Sequence, residues 1–135
     1  MIHLHSLRVY YEDTDMAGVV YYANYLKFIE RGRSEWIRAI GVDQGALKEE
    51  AGLVFAVRRV DADYLSPGRF DDILTVESRL IELGGARFVV DQRVRREDRL
   101  LFTARVTAVV MTLAGRPGRL PPDIRSRFEG ALLAS

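Results

Sequence analysis

Two carboxylates, Asp13 and Asp15, stand two residues apart between a predicted strand and a predicted helix. In an extended segment this spacing puts both side chains on the same face. Gly18 follows, where the backbone can turn sharply or approach a ligand closely. An acid beside a helix N-terminus can attack or activate water, while free backbone N–H groups hold a developing oxyanion. The same pattern is also typical of an N-cap or an Asx-turn, so a purely structural role stays open.

The composition limits the kind of protein. The chain has 135 residues and a formal net charge of +1, so we expect a single domain over 1–135 that binds neither nucleic acid nor membranes through bulk charge. The absence of cysteine excludes disulfides, thiolate metal sites and a cysteine nucleophile. Residues 1–8 do not resemble a signal peptide, and no stretch has the length of a membrane span. A cytoplasmic protein is therefore the expectation.

The histidines limit the chemistry further. His3 and His5 are the only two in the chain. They share one face of a predicted strand, but two ligands without a third make a poor metal site, so we predict no metal. They also lie far in sequence from any motif serine, which argues against a Ser-His-Asp triad. Carboxylates remain as the candidate catalytic groups.

Periodicity predicts one long helix and five strands. Apolar residues recur at helical spacing over 22–40 and Gly41 then ends the helix; the predicted core face is Tyr22, Leu26, Ile29, Arg33, Trp36, Ile37 and Ile40. Gly32, inside this helix, indicates close packing against a neighbour. A short helix is predicted at 43–51 and a loose terminal helix at 122–132. Alternating side chains predict strands at about 3–12, 53–65, 73–83, 88–94 and 100–113.

The order of these elements predicts an α+β fold. One strand, a long helix and four strands joined mainly by tight turns indicate one helix packed on a curved antiparallel sheet. A single helix covers one face of such a sheet incompletely, which leaves sheet edges and apolar surface exposed. We therefore expect a homo-oligomer built on a two-fold dimer, in which a second copy covers that surface.

The stretch around Asp15 also carries a family resemblance. Its motifs are Tyr10–Asp15, Gly18–Tyr21 and Ala23–Tyr25, and they continue at Phe28–Arg31, Glu35-Trp36, Phe55–Arg59, Tyr64–Pro67 and Asp71-Asp72. Together they resemble the hot-dog-fold acyl-CoA thioesterases, in particular the 4-hydroxybenzoyl-CoA thioesterases and the YbgC-type enzymes encoded beside the Tol-Pal envelope system. One position departs from the YbgC-type pattern, which usually has His where this chain has Tyr22. The 4-hydroxybenzoyl-CoA type can carry Tyr there.

The resemblance implies a five-stranded antiparallel sheet wrapped around one long central helix, and hydrolysis of acyl-CoA thioesters. It implies Asp15 as the catalytic carboxylate, acting either as nucleophile or as general base on water. The backbone N–H of Tyr22, at the start of the central helix, would hold the thioester carbonyl oxygen. Glu30 is a rival acid, because some hot-dog thioesterases place the carboxylate on this helix; an ion pair with Lys27, Arg33 or another nearby arginine is its other expected role.

The same resemblance implies where the substrate binds. Gly18 would let the backbone approach the ligand, and Phe55, Ala56 and Val57 would line the acyl site, although a buried strand explains those three equally well. Arginines should bind the coenzyme A phosphates; the candidates are Arg58, Arg59 and Arg87, with Arg116 and Arg119 behind them. Aromatic neighbours at Tyr21, Tyr25 and Phe55 favour an aryl or short acyl group. The family's habit of forming sites between subunits implies a dimer of dimers, and no cofactor is implied.

Two other functions remain open. A non-catalytic acyl-CoA-binding or scaffold protein of the same fold, linked to envelope or lipid enzymes, would keep the same sequence pattern. A hydratase or dehydratase usually needs a catalytic histidine in the central region, and this chain has none there. Release of free thiol from acyl-CoA separates the hydrolase from the binding protein.

Overall fold

The computed structural model describes residues 2–134 and contains one antiparallel sheet. Its strands are β1 (His3–Arg8), β2 (Leu53–Tyr64), β3 (Ile73–Leu83), β4 (Arg87–Arg96) and β5 (Arg99–Thr112), in the spatial order β1-β3-β4-β5-β2. The helices are α1 (Asn24–Ala39), α2 (Gln44–Ala51) and α3 (Pro122–Ala134), with a 3-10 turn at Tyr11–Asp13. The α+β arrangement predicted from the order of the elements is confirmed.

Alternation along the strands produces the core. Every second residue of β3, β4 and β5 is buried on the face that meets α1, including Leu74, Val76, Val90, Val94 and Val106. These inner faces are the ones predicted from sequence. On α1, however, the buried face is Tyr25, Phe28, Ile29, Gly32, Trp36 and Ile37. The predicted face was wrong at its N-terminal end, because Tyr22 precedes the helix and, like Leu26, is exposed.

A buried polar network fixes α1 against β3 and β4. A Cβ on Gly32 would clash with Val76, which explains the glycine predicted to mark close packing. Beside it, the fully buried Gln92 donates to the carbonyl of Ile29 at 2.9 Å and to the hydroxyl of Ser78 at 2.8 Å. Arg33 donates to the Gln92 side-chain oxygen at 2.9 Å, and burial lowers the pKa of its guanidinium. Breaking this network would leave buried polar groups unpaired, so the helix has one favoured position on the sheet.

The two element boundaries on either side of Asp13 and Asp15 differ from the sequence prediction. β1 ends at Arg8 rather than at residue 12, because the chain turns into the 3-10 helix. The backbone N–H of Tyr10 donates to the Asp13 carboxylate at 2.8 Å, while the N–H of Asp13 donates back to the Tyr10 carbonyl at 3.0 Å. These local bonds stabilise the turn in preference to a longer strand. α1 begins at Asn24, two residues later than predicted.

β2 forms one edge of the sheet. It pairs with β5 along its length, and from Val57 to Tyr64 all its residues are exposed. A register shift at Arg58 marks a bulge near its middle. In the part of the chain that the structure describes, no strand pairs with its outer edge. A long exposed edge strand carries unpaired backbone groups that favour pairing with another chain.

Candidate active site

A short loop presents Asp15 at the surface in front of α1. Thr14 and Val20 form an antiparallel bridge, and the N–H of Asp15 donates to the carbonyl of Val19 at 2.9 Å. The N–H of Gly18 donates to the Asp15 carbonyl at 2.9 Å, and Gly18 has a φ of 76°. A residue with a side chain would be strained in that conformation. Gly18 therefore closes the loop that holds Asp15. This structural role explains why a glycine occupies the position, without any contact to a ligand.

The two oxygens of the Asp15 carboxylate have different surroundings. Oδ1 accepts a hydrogen bond from the N–H of Ala17 at 2.9 Å, which is an Asx-turn. Within residues 2–134, no donor pairs with Oδ2. One oxygen of Asp15 therefore stabilises the loop, and the other has no partner among the described residues.

Asp13 has a different position from Asp15. Its carboxylate is bonded to the N–H of Tyr10, and its carbonyl accepts from the N–H of Tyr21 and from the side-chain amide of Asn24, both at 2.9 Å. These contacts attach the start of α1 to the preceding turn. Asp13 therefore has a structural role. The side chain of Asn24 helps to hold the start of α1 against this turn, a role that the sequence motif alone did not reveal.

The chain between the Asp15 loop and α1 carries free donors. Among the described residues, no acceptor pairs with the backbone N–H of Tyr22 or of Ala23. The Tyr22 carbonyl, in contrast, accepts from the N–H of Tyr25 and from the Tyr64 hydroxyl, both at 3.3 Å. The Tyr22 carbonyl is therefore engaged by protein donors, whereas the N–H groups of Tyr22 and Ala23 remain free to bind a ligand oxygen. Free N–H groups at a helix N-terminus bind anions in the same way.

An open cleft of about 400 Å³ brings these groups together. It is lined by Asp15, Val19, Val20, Tyr21, Tyr22, Tyr25, Tyr64, Leu65, Ser66 and Pro67. Four of these are tyrosines in mutual contact, with ring centroids 4.9 Å apart for Tyr21 and Tyr22 and 5.7 Å apart for Tyr25 and Tyr64. Burial raises the pKa of Tyr25 and of Tyr64, so both stay protonated near neutral pH. Asp15 is the one carboxylate that lines this cleft.

Gly68 attaches the Asp15 loop to α1. Its carbonyl accepts from the N–H of Val20 at 2.8 Å, and its own N–H donates to the hydroxyl of Tyr25 at 2.9 Å. A Cβ at Gly68 would lie 3.1 Å from Val20 and 3.2 Å from the Tyr25 hydroxyl. The loop and the helix are thus held together through one residue with no room for a side chain.

The comparison with known families agrees with this geometry. The thioesterase superfamily matches residues 17–113, which contain the helix start, α1 and the four strands that follow. The chain belongs to the thioesterase superfamily. The match confirms the expectation of a hot-dog-fold thioester hydrolase drawn from the sequence motifs.

Relatives of this thioesterase carry related names. It is 39% identical over 123 residues to the acyl-CoA thioesterase YbgC of Haemophilus influenzae, covering 90% of each chain. It is 41% identical over 125 residues to the acyl-CoA thioester hydrolase YbgC of Escherichia coli, covering 91% of this chain and 92% of that one. The crystal structure of a probable thioesterase from Bartonella henselae superposes with a TM-score of 0.85 at 39% identity, covering 90% of this chain and all of the other.

Two other features are absent from the part of this thioesterase that the structure describes. Across residues 2–134 no helix combines the length and the apolar character needed to cross a membrane. In the same range, no group of three or more histidines and carboxylates is placed to hold a metal ion.

The predicted acyl-site residues lie away from Asp15. Phe55 packs on the core rings of Phe88 and Phe128, with centroids 5.2 and 5.8 Å away. Ala56 and Val57 follow it on β2, and Val57 is 49% exposed. Tyr64, at the other end of the strand, lies in the Asp15 cleft, about 23 Å from Val57 at the usual rise per residue. A single chain therefore does not bring Phe55, Ala56 or Val57 to Asp15.

The three candidate arginines do lie together. Arg58, Arg59 and Arg87 line one surface cavity of about 290 Å³, and Arg58 and Arg87 also border a second of about 450 Å³ beside the β3–β4 hairpin. Exposed carboxylates accompany two of them, since Arg59 pairs with Asp61 and Arg87 with Glu82, both at 3.1 Å. Arg116 and Arg119 are exposed in the segment after β5. Arg58, Arg59 and Arg87 therefore form one basic cluster, which lies beside Val57 near the middle of β2.

Glu30 is poorly placed for the chemistry. It lies on the exposed side of α1, outside the lining of the Asp15 cleft, and accepts a hydrogen bond from the Ser34 hydroxyl at 3.1 Å. The predicted ion pair with Lys27 or Arg33 is not formed within residues 2–134. Arg33 is instead bonded to Gln92, because the buried amide competes for its guanidinium.

Sequence reasoning missed the contribution of the β2–β3 connection. Tyr64, Ser66 and Gly68 all contact the Asp15 cleft or the loop that forms it. The signal was present, since the motif Tyr64–Pro67 belonged to the resemblance, but a turn assignment gave these residues no functional role.

Proposed function

We propose that this thioesterase hydrolyses a short-chain or aromatic acyl-CoA to the free acid and coenzyme A, with Asp15 as the catalytic carboxylate. The supporting observation is that the free Oδ2 of Asp15 and the unpaired N–H of Tyr22 belong to one cleft. A carbonyl group between them would have its carbon near the carboxylate and its oxygen near a backbone donor at a helix start. That arrangement stabilises the tetrahedral intermediate more than the ground state.

In the proposed reaction the substrate carbonyl accepts from the Tyr22 N–H. Asp15 then either attacks the carbonyl carbon through Oδ2, giving a mixed anhydride that water opens, or removes a proton from the water that attacks. In both routes the C–S bond breaks and the coenzyme A thiolate leaves and takes up a proton. No metal or organic cofactor takes part in the proposal, since the thiolate is a good leaving group and the carbonyl is polarised by a backbone donor.

The walls of the cleft support a preference for small or aromatic acyl groups. Four tyrosine rings line it, and ring contacts favour a flat aryl group beyond simple burial. A volume of about 400 Å³ also suits a small acyl group better than a long chain. The ring of Tyr22 lines the cleft, and it is proposed to pack on the acyl group while the Tyr22 N–H holds the carbonyl.

We expect benzoyl-CoA and butyryl-CoA to be hydrolysed with a higher kcat/KM than palmitoyl-CoA, by about tenfold or more, since the palmitoyl chain gains few ring contacts in the cleft. Thiol release measured with a disulfide reagent gives the three values directly. A palmitoyl preference would reverse the proposed substrate class. Binding of all three without thiol release would instead favour the non-catalytic acyl-CoA-binding or scaffold role.

The separation of Phe55–Val57 from Asp15 supports a two-fold dimer. The outer edge of β2 is unpaired among the described residues and carries exposed Val57, Val60 and Tyr64. Antiparallel pairing of two β2 strands about an axis between Val60 and Asp61 would set Val57 of one copy opposite Tyr64 of the other. Phe55, Ala56 and Val57 would then approach the partner's Asp15 cleft, and each site would contain residues of both chains.

The arginine cluster has a proposed role in the same assembly. Arg58 and Arg59 follow Val57 near the middle of β2, and Arg87 borders the same cavity, so the pairing would bring all three near the mouth of the partner's cleft. We propose that at least one of them contacts the coenzyme A phosphates, with Arg116 and Arg119 behind. Two such dimers would form the tetramer, and the expected location is the cytoplasm.

Light scattering is expected to give a dimer or a dimer of dimers at micromolar concentration, and Val60→Asp is expected to shift it to monomer. In the proposed register the new carboxylate lies directly opposite Asp61 of the other copy, and like charges directly opposite each other on paired strands are destabilising. Thiol release should fall together with the dimer fraction. Leu133→Asp is the matched control, since Leu133 is 88% exposed on α3 rather than on the β2 edge. An active wild-type monomer would exclude a shared site.

A further inference from the structure

Ser66 is the one cleft residue whose hydroxyl is engaged by a cation. It follows β2, and the N–H groups of Leu65 and Ser66 both donate to the carbonyl of Leu101, at 2.9 and 3.1 Å. Its Oγ accepts from Nε of Arg99 at 3.0 Å and from Nη2 of the same guanidinium at 2.9 Å. The loop backbone and the side chain of Ser66 are therefore both fixed from β5.

This contact decides what the hydroxyl can do. A serine oxygen has one proton to donate and two lone pairs to accept with. The two N–H groups of Arg99 occupy the acceptor side of the oxygen, so its proton points away from the guanidinium. Within residues 2–134, that proton has no acceptor and Arg99 has no carboxylate partner. The uncompensated positive charge makes the O–H a stronger donor than an ordinary serine.

We propose that Ser66 is a substrate-binding residue that donates its hydroxyl proton to an oxygen acceptor of the bound thioester, and that Arg99 is the residue that positions it. This rests on the proposed function, because it assumes that the thioester occupies the cleft lined by Asp15 and Ser66.

Near its reacting end an acyl-CoA offers such an acceptor in two places besides the thioester carbonyl. One is the pantetheine amide carbonyl nearest the sulfur, which every coenzyme A ester carries. The other is an oxygen substituent on the acyl group, which only some substrates carry. A hydroxyl that can only donate binds either of these oxygens, but it forms no hydrogen bond with a hydrocarbon acyl group. Ser66 would therefore contribute to substrate specificity as well as to affinity.

The test compares wild type with Ser66→Ala on three benzoyl thioesters and on 4-hydroxybenzoyl-CoA. Benzoyl-CoA and the N-acetylcysteamine thioester keep the amide nearest the sulfur, and S-ethyl thiobenzoate lacks it. If the amide is the acceptor, Ser66→Ala should raise KM about five- to tenfold for the first two and leave the S-ethyl ester unchanged. If the acyl oxygen is the acceptor, the loss should be confined to 4-hydroxybenzoyl-CoA.

Arg99 and a second serine provide the controls. Arg99→Met should reproduce the pattern of Ser66→Ala and add little to it in the double variant, because both act on one hydrogen bond. Arg99→Lys, which keeps the charge and one donor, should recover part of the loss. Ser34→Ala removes a hydroxyl that donates to Glu30 on the outside of α1, and should change no KM value.

The outcomes separate this inference from the proposed function. Equal KM values for wild type and Ser66→Ala on all four substrates would overturn the role of Ser66 while leaving the hydrolase intact. An equal loss on every substrate, including the S-ethyl ester of benzoate, would show that Ser66 only supports the fold. A wild-type protein that releases no thiol from any of the four would contradict the hydrolase itself.

Discussion

Asp15→Asn is expected to lower kcat for benzoyl-CoA at least about a hundredfold while leaving the fold unchanged. The amide keeps the size of the carboxylate, and its Oδ1 can still accept from the N–H of Ala17, so the Asx-turn and the loop should persist. What disappears is the free carboxylate oxygen that we propose attacks the thioester or removes a proton from water. Single-turnover thiol release measures the loss, and the thermal unfolding midpoint, unchanged within a degree or two, shows that it is chemical.

Glu30→Gln is the matched control for that experiment. It makes the same acid-to-amide change on a carboxylate that is exposed on α1 and bonded to Ser34. We expect it to retain wild-type kcat. Full activity in folded Asp15→Asn would remove Asp15 from the mechanism, and a loss in Glu30→Gln instead would move the chemistry to the helix.

Tyr22→Pro is expected to abolish thiol release, because proline has no backbone N–H to hold the carbonyl oxygen. Loss of one oxyanion donor costs about 10²–10³ in kcat in hydrolases of acyl groups. The substitution should leave the fold intact, because the N–H of Tyr22 has no acceptor within residues 2–134 and Tyr22 precedes the first residue of α1. Circular dichroism and the unfolding midpoint should therefore stay close to wild type.

Tyr22→Phe separates the backbone from the side chain at the same position. The ring, its contacts with Tyr21 and Tyr64 and the N–H all remain, and only the hydroxyl is lost. Most of the activity should be retained. A large loss in Tyr22→Phe would mean that the phenol takes part in the reaction, whereas appreciable turnover by well-folded Tyr22→Pro would assign the oxyanion to another donor.

Much of the fold could be read from local patterns. The inner faces of β3, β4 and β5 follow from the alternation of apolar side chains, and the glycine pair Gly84-Gly85 marks the β3–β4 turn. The errors lie where side chains bond the backbone. The carboxylate of Asp13 converts the end of the predicted first strand into a 3-10 turn, and periodicity carries no signal for such a bond.

The candidate site was predictable only in part. Asp15 and Tyr22 were singled out by their motif, and the structure places both in one cleft. The bond from Gly68 to Tyr25 joins residues 43 apart in sequence, so no local pattern could indicate it. The position of Phe55 depends on how β2 meets its neighbours, which a single sequence does not encode directly.

The attachment of the Asp15 loop through Gly68 has a consequence for heat resistance. Residues 15–18 of the loop are all exposed, whereas the sheet and α1 are held together by buried side chains on their facing surfaces. Proteins open locally with free energies well below that of global unfolding where a segment has few buried contacts. The loop can therefore detach while the sheet stays folded, and we expect the catalytic centre to melt before the scaffold. Reversible loss of turnover would then set the upper working temperature of this protein, several degrees below the point at which its core comes apart.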